Sequence, residues 1–584
     1  MQRLYTTLIS LFITLATMAQ GWPENYGGVM MQGFYWDSYP DSKWTVLESQ
    51  AEELSQYFDL IWVPNSAYAN ALSNNMGYHP VYWFDHKSAF GTEAELRSMI
   101  NTFKQKGVGV IEDVVINHRA SVNSDWLNFP AETWKGETYK LTAADICQDD
   151  EAKDNGYKPT GAKDTGQNWG GARDLDHTGE NVQKNVKAYL NFLLNDLGYV
   201  GFRYDFVLGY AAKYIGLYNT ATNPTYSVME CWEDLSTIKK WIEGSKVDGV
   251  IQSAAFDFPM KFNINSAFSN GGNWNKLENS NLTTQSGYDR YSVTFVDNHD
   301  TGRPGESPLY ANVDAANAYI LTMPGTPCVW LQHWLTSKKA IKKMIAVRKA
   351  VGLTNQSEII NKGVTGNGYV LHVKGNNGNV LLLLGSPTTE TYGYKLATEG
   401  TNYQLYVSDG VDLTKVEAVD KESDSFVVPE FCQVNDGEIC AFFEAPNSWT
   451  TVKCWAWDEK GNYTGGTWPG AACTKVGTNN DKTVWKWTWD NSYTGSAATS
   501  PTQIIFNNDN KGSQTSDLDF KNGGYYNQAG ALQGVVSGIQ KISVDAELSN
   551  KVYTLDGRLV RTDGNLNGLP KGVYIVGNKK YVLK

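Results

Sequence analysis

The sequence predicts an α/β protein: a (β/α)8 barrel over residues 20–352, followed by β modules. Three observations carry this. Strand-like and helix-like runs alternate from Gly28 onward, the strand-like runs number eight, and several stop abruptly at an acid. Alternation of this kind implies a parallel sheet. Eight parallel strands close into a barrel, and barrel active sites are built at the C-terminal strand ends.

The strand-like runs are 28–36, 58–63, 108–116, 200–204, 226–231, 253–258, 291–296 and 326–331. Amphipathic stretches at 46–57, 93–106, 181–196 and 337–352 read as helices, with Leu190, Phe192, Leu193 and Leu194 clustering with Val186 at helical spacing in the third. Between the third strand and the helix at 181 lie about 60 residues rich in Gly, Asp and Asn, too long for a structureless loop in a compact domain. An inserted domain at about 119–178 is expected there. After residue 352 the pattern turns to β, predicting an antiparallel domain over 353–443, a β-sandwich over 447–530 and a short β tail over 540–584.

Composition excludes some partners. A net charge of −12 leaves no basic stripe for phosphates, which argues against nucleic acid. The chain is rich in Trp (20), Tyr (33) and Gly (55), which suits stacking on neutral sugar rings. Residues 1–19 carry Arg3, an apolar stretch from Leu8 to Met18 and Ala19, the pattern of a cleaved secretory signal. No other stretch is apolar and long enough to span a bilayer. A monomer is expected. Seven cysteines lack zinc-like spacing; Cys432 with Cys440 and Cys454 with Cys473 are possible pairs that sequence leaves open.

The chemistry lies in four segments: IEDVVINH (111–118), GFRYDF (201–206), SVMECWED (227–234) and FVDNHD (295–300). Three bring Asp205, Glu230 and Asp300 to the polar end of a strand. Acids delivered to one sheet edge can serve as nucleophile, proton donor and stabiliser of a cationic transition state, the equipment for cleaving a glycosidic bond. Arg203 lies two residues before Asp205 and so on the same strand face, where it should keep that carboxylate ionised.

In order and content these segments resemble the four signature regions of the α-amylase family of glycoside hydrolases, over about residues 24–443. The resemblance implies Asp205 as nucleophile, Glu230 as general acid/base and Asp300 as the acid that grips the sugar hydroxyls. It also implies His118 and His299 as hydrogen-bonding partners of the sugar at the cleavage point, and Tyr78, in MGYHP, as the platform beneath it. The insert sequence at 146–177 is similar to that of plant-type members. From that likeness a structural calcium ion (Ca2+) is expected on Asn117, Asp164 and Asp174, with the carbonyls of Gln167 and Gly209; Asp149, Asp150 and Asp154 are candidates for further calcium. Leu208-Gly209 stands where many members have Lys-His, which leaves the leaving-group side of the cleft undefined.

The region 447–530 resembles small starch-binding β-sandwich modules. Strand alternation puts Trp455 and Trp457 on one face, where Trp468 can join them as a sugar platform. Trp485, Trp487 and Trp489 share another face, read as core. The tail carries eight Lys and Arg against four Asp and Glu. It resembles the sorting domains of a bacterial type IX secretion pathway, implying contact with secretion machinery and a secreted or cell-surface location. The function expected is a retaining endo-hydrolase of α-1,4-glucosidic bonds in starch. The alternatives are a transglycosylase or debranching relative, and a non-catalytic starch-binding surface protein.

Overall fold

The computed structural model describes residues 21–536, apart from 70–74, 122–124, 270–271, 422–427, 430, 436, 480–481, 492–499, 510–512 and 528–531, together with parts of 552–583. The secretory signal expected at 1–19 lies outside the described residues. The chain divides into two compact units, residues 1–422 and 423–584.

All eight expected strands form. They are β1 (Met30–Gln32), β2 (Leu60–Val63), β3 (Gly109–Val114), β4 (Gly201–Tyr204), β5 (Tyr226–Met229), β6 (Ala254–Phe256), β7 (Ser292–Phe295) and β8 (Thr326–Trp330). Each pairs in parallel with its sequence neighbours, and β1 closes the ring on β8 through Met30 opposite Cys328. Apart from Gly109 and Tyr226, which are half-buried, every strand residue is buried. That explains why the strands read as continuous apolar runs rather than alternating ones.

The second expected helix has both a start signal and a stripe. Thr92 and Glu95 make a capping box for Glu93–Gln105, whose buried face is Leu96, Met99, Ile100 and Phe103. The third stretch is helical over Glu180–Phe192 and continues as one wider turn to Leu197, ended by Gly198 in the left-handed region. The fourth runs over Leu331–Val351 with a break at Ser337. Helices such as Val313–Thr322, buried on nearly all sides, carried no amphipathic signal.

The insert leaves after β3 and is built of small pieces. Glu132–Trp134 pairs with Glu137–Tyr139, and His118–Arg119 pairs with Arg173–Asp174, so the insert's two ends are stitched together beside the barrel mouth. The barrel is followed by a five-stranded antiparallel sheet from Ile359 to Ser408 and the helix Thr414–Lys421.

In the second unit a five-stranded and a four-stranded sheet enclose a core of Phe443, Trp485, Trp487, Phe506 and Tyr526. The strand Cys440–Glu444 corrects the expected boundary at 443. It pairs with Lys482–Thr488 and Gly524–Tyr526, because Ala441 and Phe443 point into this core. In the strand-like run at 426–434, residues 426, 427 and 430 lie outside the described residues, and 428–429 and 431–434 form no strand. In the tail, four strands between Val552 and Leu583 form one antiparallel sheet. All seven cysteines are buried free thiols. Among the described residues no helix is long and apolar enough to cross a membrane.

Candidate active site

One buried guanidinium organises the barrel mouth. Arg203, on β4 and 1% exposed, donates from Nη1 to Asp113 Oδ1 and to Asp205 Oδ1, both at 2.6 Å, and reaches Glu230 Oε1 from Nη2 at 2.7 Å. Asp205 follows β4 directly and Glu230 follows β5 directly. The sequence placed Arg203 beside Asp205, and the structure adds two more acids to it.

Three carboxylates around one cation leave excess negative charge in a dry site. Burial, opposed by Arg203 and reinforced by Asp205 and Asp300, raises Glu230 to about 8. Burial raises Asp113 to about 7 despite Arg203. Glu230 therefore holds a proton at neutral pH, the state a general acid needs. Its other oxygen accepts the backbone N–H of Phe206 at 3.0 Å. Phe206 adopts φ +41°, a costly conformation for an aromatic residue, and that twist accompanies the turn that aims its N–H at Glu230.

Asp300 stands five residues past β7 and behaves oppositely. Burial works to raise it, but His299, Arg203 and Arg303 outweigh that and hold it at about 2. His299 Nε2 is 3.0 Å from Asp300 Oδ2, and Arg303 Nη2 is 2.9 Å from Oδ1. Gln32 Nε2 lies 2.8 Å from His299 Nδ1, and on the other side His299 Nε2 faces Asp300 and, at 2.6 Å, the Tyr78 hydroxyl. Tyr78 in turn donates to Asp113 at 3.0 Å. The rings of Tyr78, His299 and Trp36 are nearly parallel, within 13° of one another.

His118 lies at this mouth too, 1% exposed. Its Nε2 donates to the Tyr78 carbonyl at 2.9 Å, its Nδ1 faces the Asn117 amide at 3.2 Å, and Trp169 of the insert stacks on its ring at 4.0 Å. Both nitrogens thus have protein partners, and the histidine ties the Tyr78 loop to the insert. Sequence reasoning missed Asp113, Trp36, Arg303 and Trp169. Asp113 had a signal, one of two adjacent acids inside an apolar strand, since such a group is buried only with a partner.

The expected calcium ligands gather around the insert's root. Asn117 and Asp174, each 1% exposed, are joined by an Asn117 Nδ2 to Asp174 Oδ1 hydrogen bond of 3.0 Å. A Cβ placed on Gly209 would lie 1.9 Å from Asn117 Oδ1, so the 209 backbone abuts that oxygen and only glycine fits. The Gln167 N–H donates to the Leu208 carbonyl at 2.9 Å, bringing that loop to the same place. Asp164 Oδ2 is buried with no hydrogen-bond partner. Burial raises Asp174 to about 8, with Asp164 and Asp150 adding to it, and burial also raises Asp164. Crowded, desolvated oxygen donors of this kind fit a hard cation. Among the described residues there is no group of three or more His, Cys, Asp or Glu arranged for a metal. Asp149 and Asp150 accept the backbone N–H groups of Asp164 and Asp174, each at 2.8 Å, and so brace the insert loops.

In the second unit Cys454 and Ala456 point into the core, leaving Trp455 and Trp457 half-buried on the opposite face. Trp468, 41% exposed, meets Trp455 with ring centroids 6.0 Å apart. Trp485 and Trp487 are core, as expected, with Trp489 packed against it.

Residues 58–333 match the family model described as alpha amylase, catalytic domain, and residues 441–520 match starch-binding module 26. The chain carries an alpha-amylase catalytic domain. Asp113, Arg203, Asp205, Glu230, Asp300 and Arg303 lie within the first match, and Trp455, Trp457 and Trp468 within the second. Among curated relatives, "Probable alpha-amylase 2" of Arabidopsis thaliana is 29% identical over 403 residues, 65% of this chain and 93% of that one. "Alpha-amylase 3, chloroplastic" of the same plant is 27% identical over 57% of this chain, which spans only 38% of that relative. "Glucan 1,4-alpha-maltotetraohydrolase" of Stutzerimonas stutzeri is 28% identical over 62% of this chain and 69% of its own length.

Proposed function

We propose that this protein is a secreted, retaining endo-hydrolase of α-1,4-glucosidic bonds in starch and related α-glucans. The observation that carries the reading is the Arg203 hub, which holds Asp205 and Glu230 on one guanidinium while leaving Glu230 protonated. Two carboxylates bonded to one guanidinium are held beside each other, the arrangement in which the second carboxylate and not a water meets the sugar. That favours direct attack by a nucleophile over single-step inversion.

In the first step an Asp205 oxygen attacks the anomeric carbon, the glycosidic C–O bond breaks, and Glu230 passes its proton to the departing oxygen. In the second, Glu230 takes a proton from water, whose oxygen displaces Asp205. Asp300, held ionised by His299 and Arg303, receives the hydroxyls of the distorted sugar. Tyr78 flanks the same ring. A calcium ion, when bound, would supply only charge neutralisation and a cross-link; Asn117, Asp164, Asp174 and the carbonyls of Gln167 and Gly209 would hold it, pinning the insert beside the mouth. Trp455, Trp457 and Trp468 would tether the enzyme to insoluble α-glucan. Export by the signal at 1–19 and sorting by the tail at 540–584 complete the reading.

Starch viscosity and new reducing ends, followed with the wild type and Glu230→Gln, test it. The wild type should thin starch quickly while the variant is slowed about 100-fold or more. Equal thinning by both would refute the hydrolase reading, and conserved reducing-end counts with redistributed chain lengths would favour a transglycosylase.

A further inference from the structure

Arg303 belongs to none of the four signature segments, yet it sits at the cleft. Its side chain is 36% exposed, its Nη2 donates to Asp300 Oδ1 at 2.9 Å, and its guanidinium carbon lies 4.3 Å from the centre of the Trp36 ring. Trp36 follows β1, and its ring is within 7° of parallel to those of Tyr78 and His299. Going round the barrel wall, these groups stand after β7, β1 and β2, whereas Glu230 stands across the barrel after β5. The proton donor faces the departing sugar. Arg303 and Trp36 therefore border the retained side of the cleaved bond.

The loop carrying Arg303 is held from beneath. Lys261 is wholly buried and pairs with Asp297, and it donates to Asn265 Oδ1 at 2.6 Å and to the Ser307 carbonyl at 2.9 Å. Asp297 Oδ2 accepts the Leu309 N–H at 3.0 Å, and its Oδ1 accepts the Thr301 hydroxyl at 3.2 Å. Both ends of the 297–309 segment are thereby fixed to one buried ion pair. Arg303 is presented on a rigid base and not on a free loop. A planar guanidinium stacked on an indole keeps its outward N–H groups in a fixed fork, so little rotamer freedom is lost when they bind. Among the described residues its Nη1 makes no hydrogen bond.

Resting on the α-glucan reading above, we propose that Arg303, supported by Trp36, is a specificity-determining contact for the glucose unit that precedes the cleaved one on the non-reducing side. Its outward N–H groups donate to hydroxyls of that unit. The Asp300 side of the same guanidinium stays on the carboxylate that grips the cleaved unit, so the two adjoining sugars are held by one rigid group. Recognition on this side would then favour substrates with at least two retained glucose units.

The experiment compares 4-nitrophenyl α-glucoside, with one retained unit, against 4-nitrophenyl α-maltoside and α-maltotrioside cleaved at the aryl bond. Wild type, Arg303→Ala, Arg303→Lys and Trp36→Leu are assayed for kcat and KM, with melting temperature as the folding control. Loss of a charged hydrogen bond predicts kcat/KM falling about 10-fold to 100-fold for Arg303→Ala on the two longer glycosides. On the glucoside the fall should be about 10-fold smaller, limited to what Arg303 does through Asp300. Arg303→Lys should recover only part, because an ammonium cannot keep the stacked fork, and Trp36→Leu should mimic Arg303→Ala. An equal fall on all three substrates would overturn the proposal, since Arg303 would then act only through Asp300. No fall on any would overturn it as well. A wild type inert towards all three and towards starch would refute the hydrolase reading itself, a separate outcome from either.

Discussion

Replacing Arg203 by Met removes the cation that contacts Asp113, Asp205 and Glu230 together, at 2.6, 2.6 and 2.7 Å. Methionine has nearly the same volume, so the loss is electrostatic. Breaking a buried ion pair by deleting one partner costs about 3–5 kcal/mol, because a charge is left desolvated and unpaired. Here the stranded acids can escape by taking up protons. Glu230 and Asp113 already stand at about 8 and 7 with the arginine present, and its removal pushes them higher. The sign follows: the folded variant binds more protons than the unfolded chain above the ordinary carboxylate pKa of about 4, so its stability falls as pH rises. The deficit against wild type should approach about 3–5 kcal/mol at pH 8 and shrink toward pH 5. Urea unfolding at both pH values, read on the barrel's transition, measures it. Activity should fall at least about 100-fold, since Asp205 and Glu230 lose the guanidinium that positions them both, and Arg203→Lys should recover little because one ammonium cannot serve three carboxylates. A deficit that is the same at both pH values, or below about 1 kcal/mol, would refute the hub as an electrostatic device.

Other expectations follow from the same geometry. The pH profile of kcat/KM should lose its alkaline limb near pH 8, where Glu230 gives up its proton, and Asp300→Asn should move that limb to lower pH by removing a neighbouring negative charge; a limb unmoved in the variant counts against the assignment. Chelation with EDTA should lower the melting temperature and activity together in the wild type, while Asp174→Asn should start lower and respond less; an EDTA-insensitive melting curve would argue against the ion. Trp468→Ala and Trp455→Ala should each weaken adsorption to granular starch severalfold and leave rates on short soluble glucans unchanged, and loss of both properties would place those rings in the catalytic fold instead.

The barrel was legible because its strands are short and apolar and several are followed within a few residues by acids, so burial and chemistry left their marks in one place. Asp205, Glu230 and Asp300 were readable for the same reason. Other groups left no local pattern. Trp36 and Arg303 come together only when β1 and β7 flank β8 in the closed ring. Trp169 reaches His118 from an insert whose Gly-rich sequence carries no periodicity. The boundary at 443 failed because one strand, Cys440–Glu444, alternates alike whichever sheet it joins. Only its partners, Trp485 and Tyr526 among them, decide.

The division of labour between Asp205 and Glu230 is the core of the account. A maltosyl fluoride with a fluorine that slows ester hydrolysis needs no proton donor to load the enzyme. Incubated with Glu230→Gln and digested for mass spectrometry, it should leave one glycosyl unit on the peptide bearing Asp205. Label on any other carboxylate, or no label while the fluoride is turned over, would contradict it.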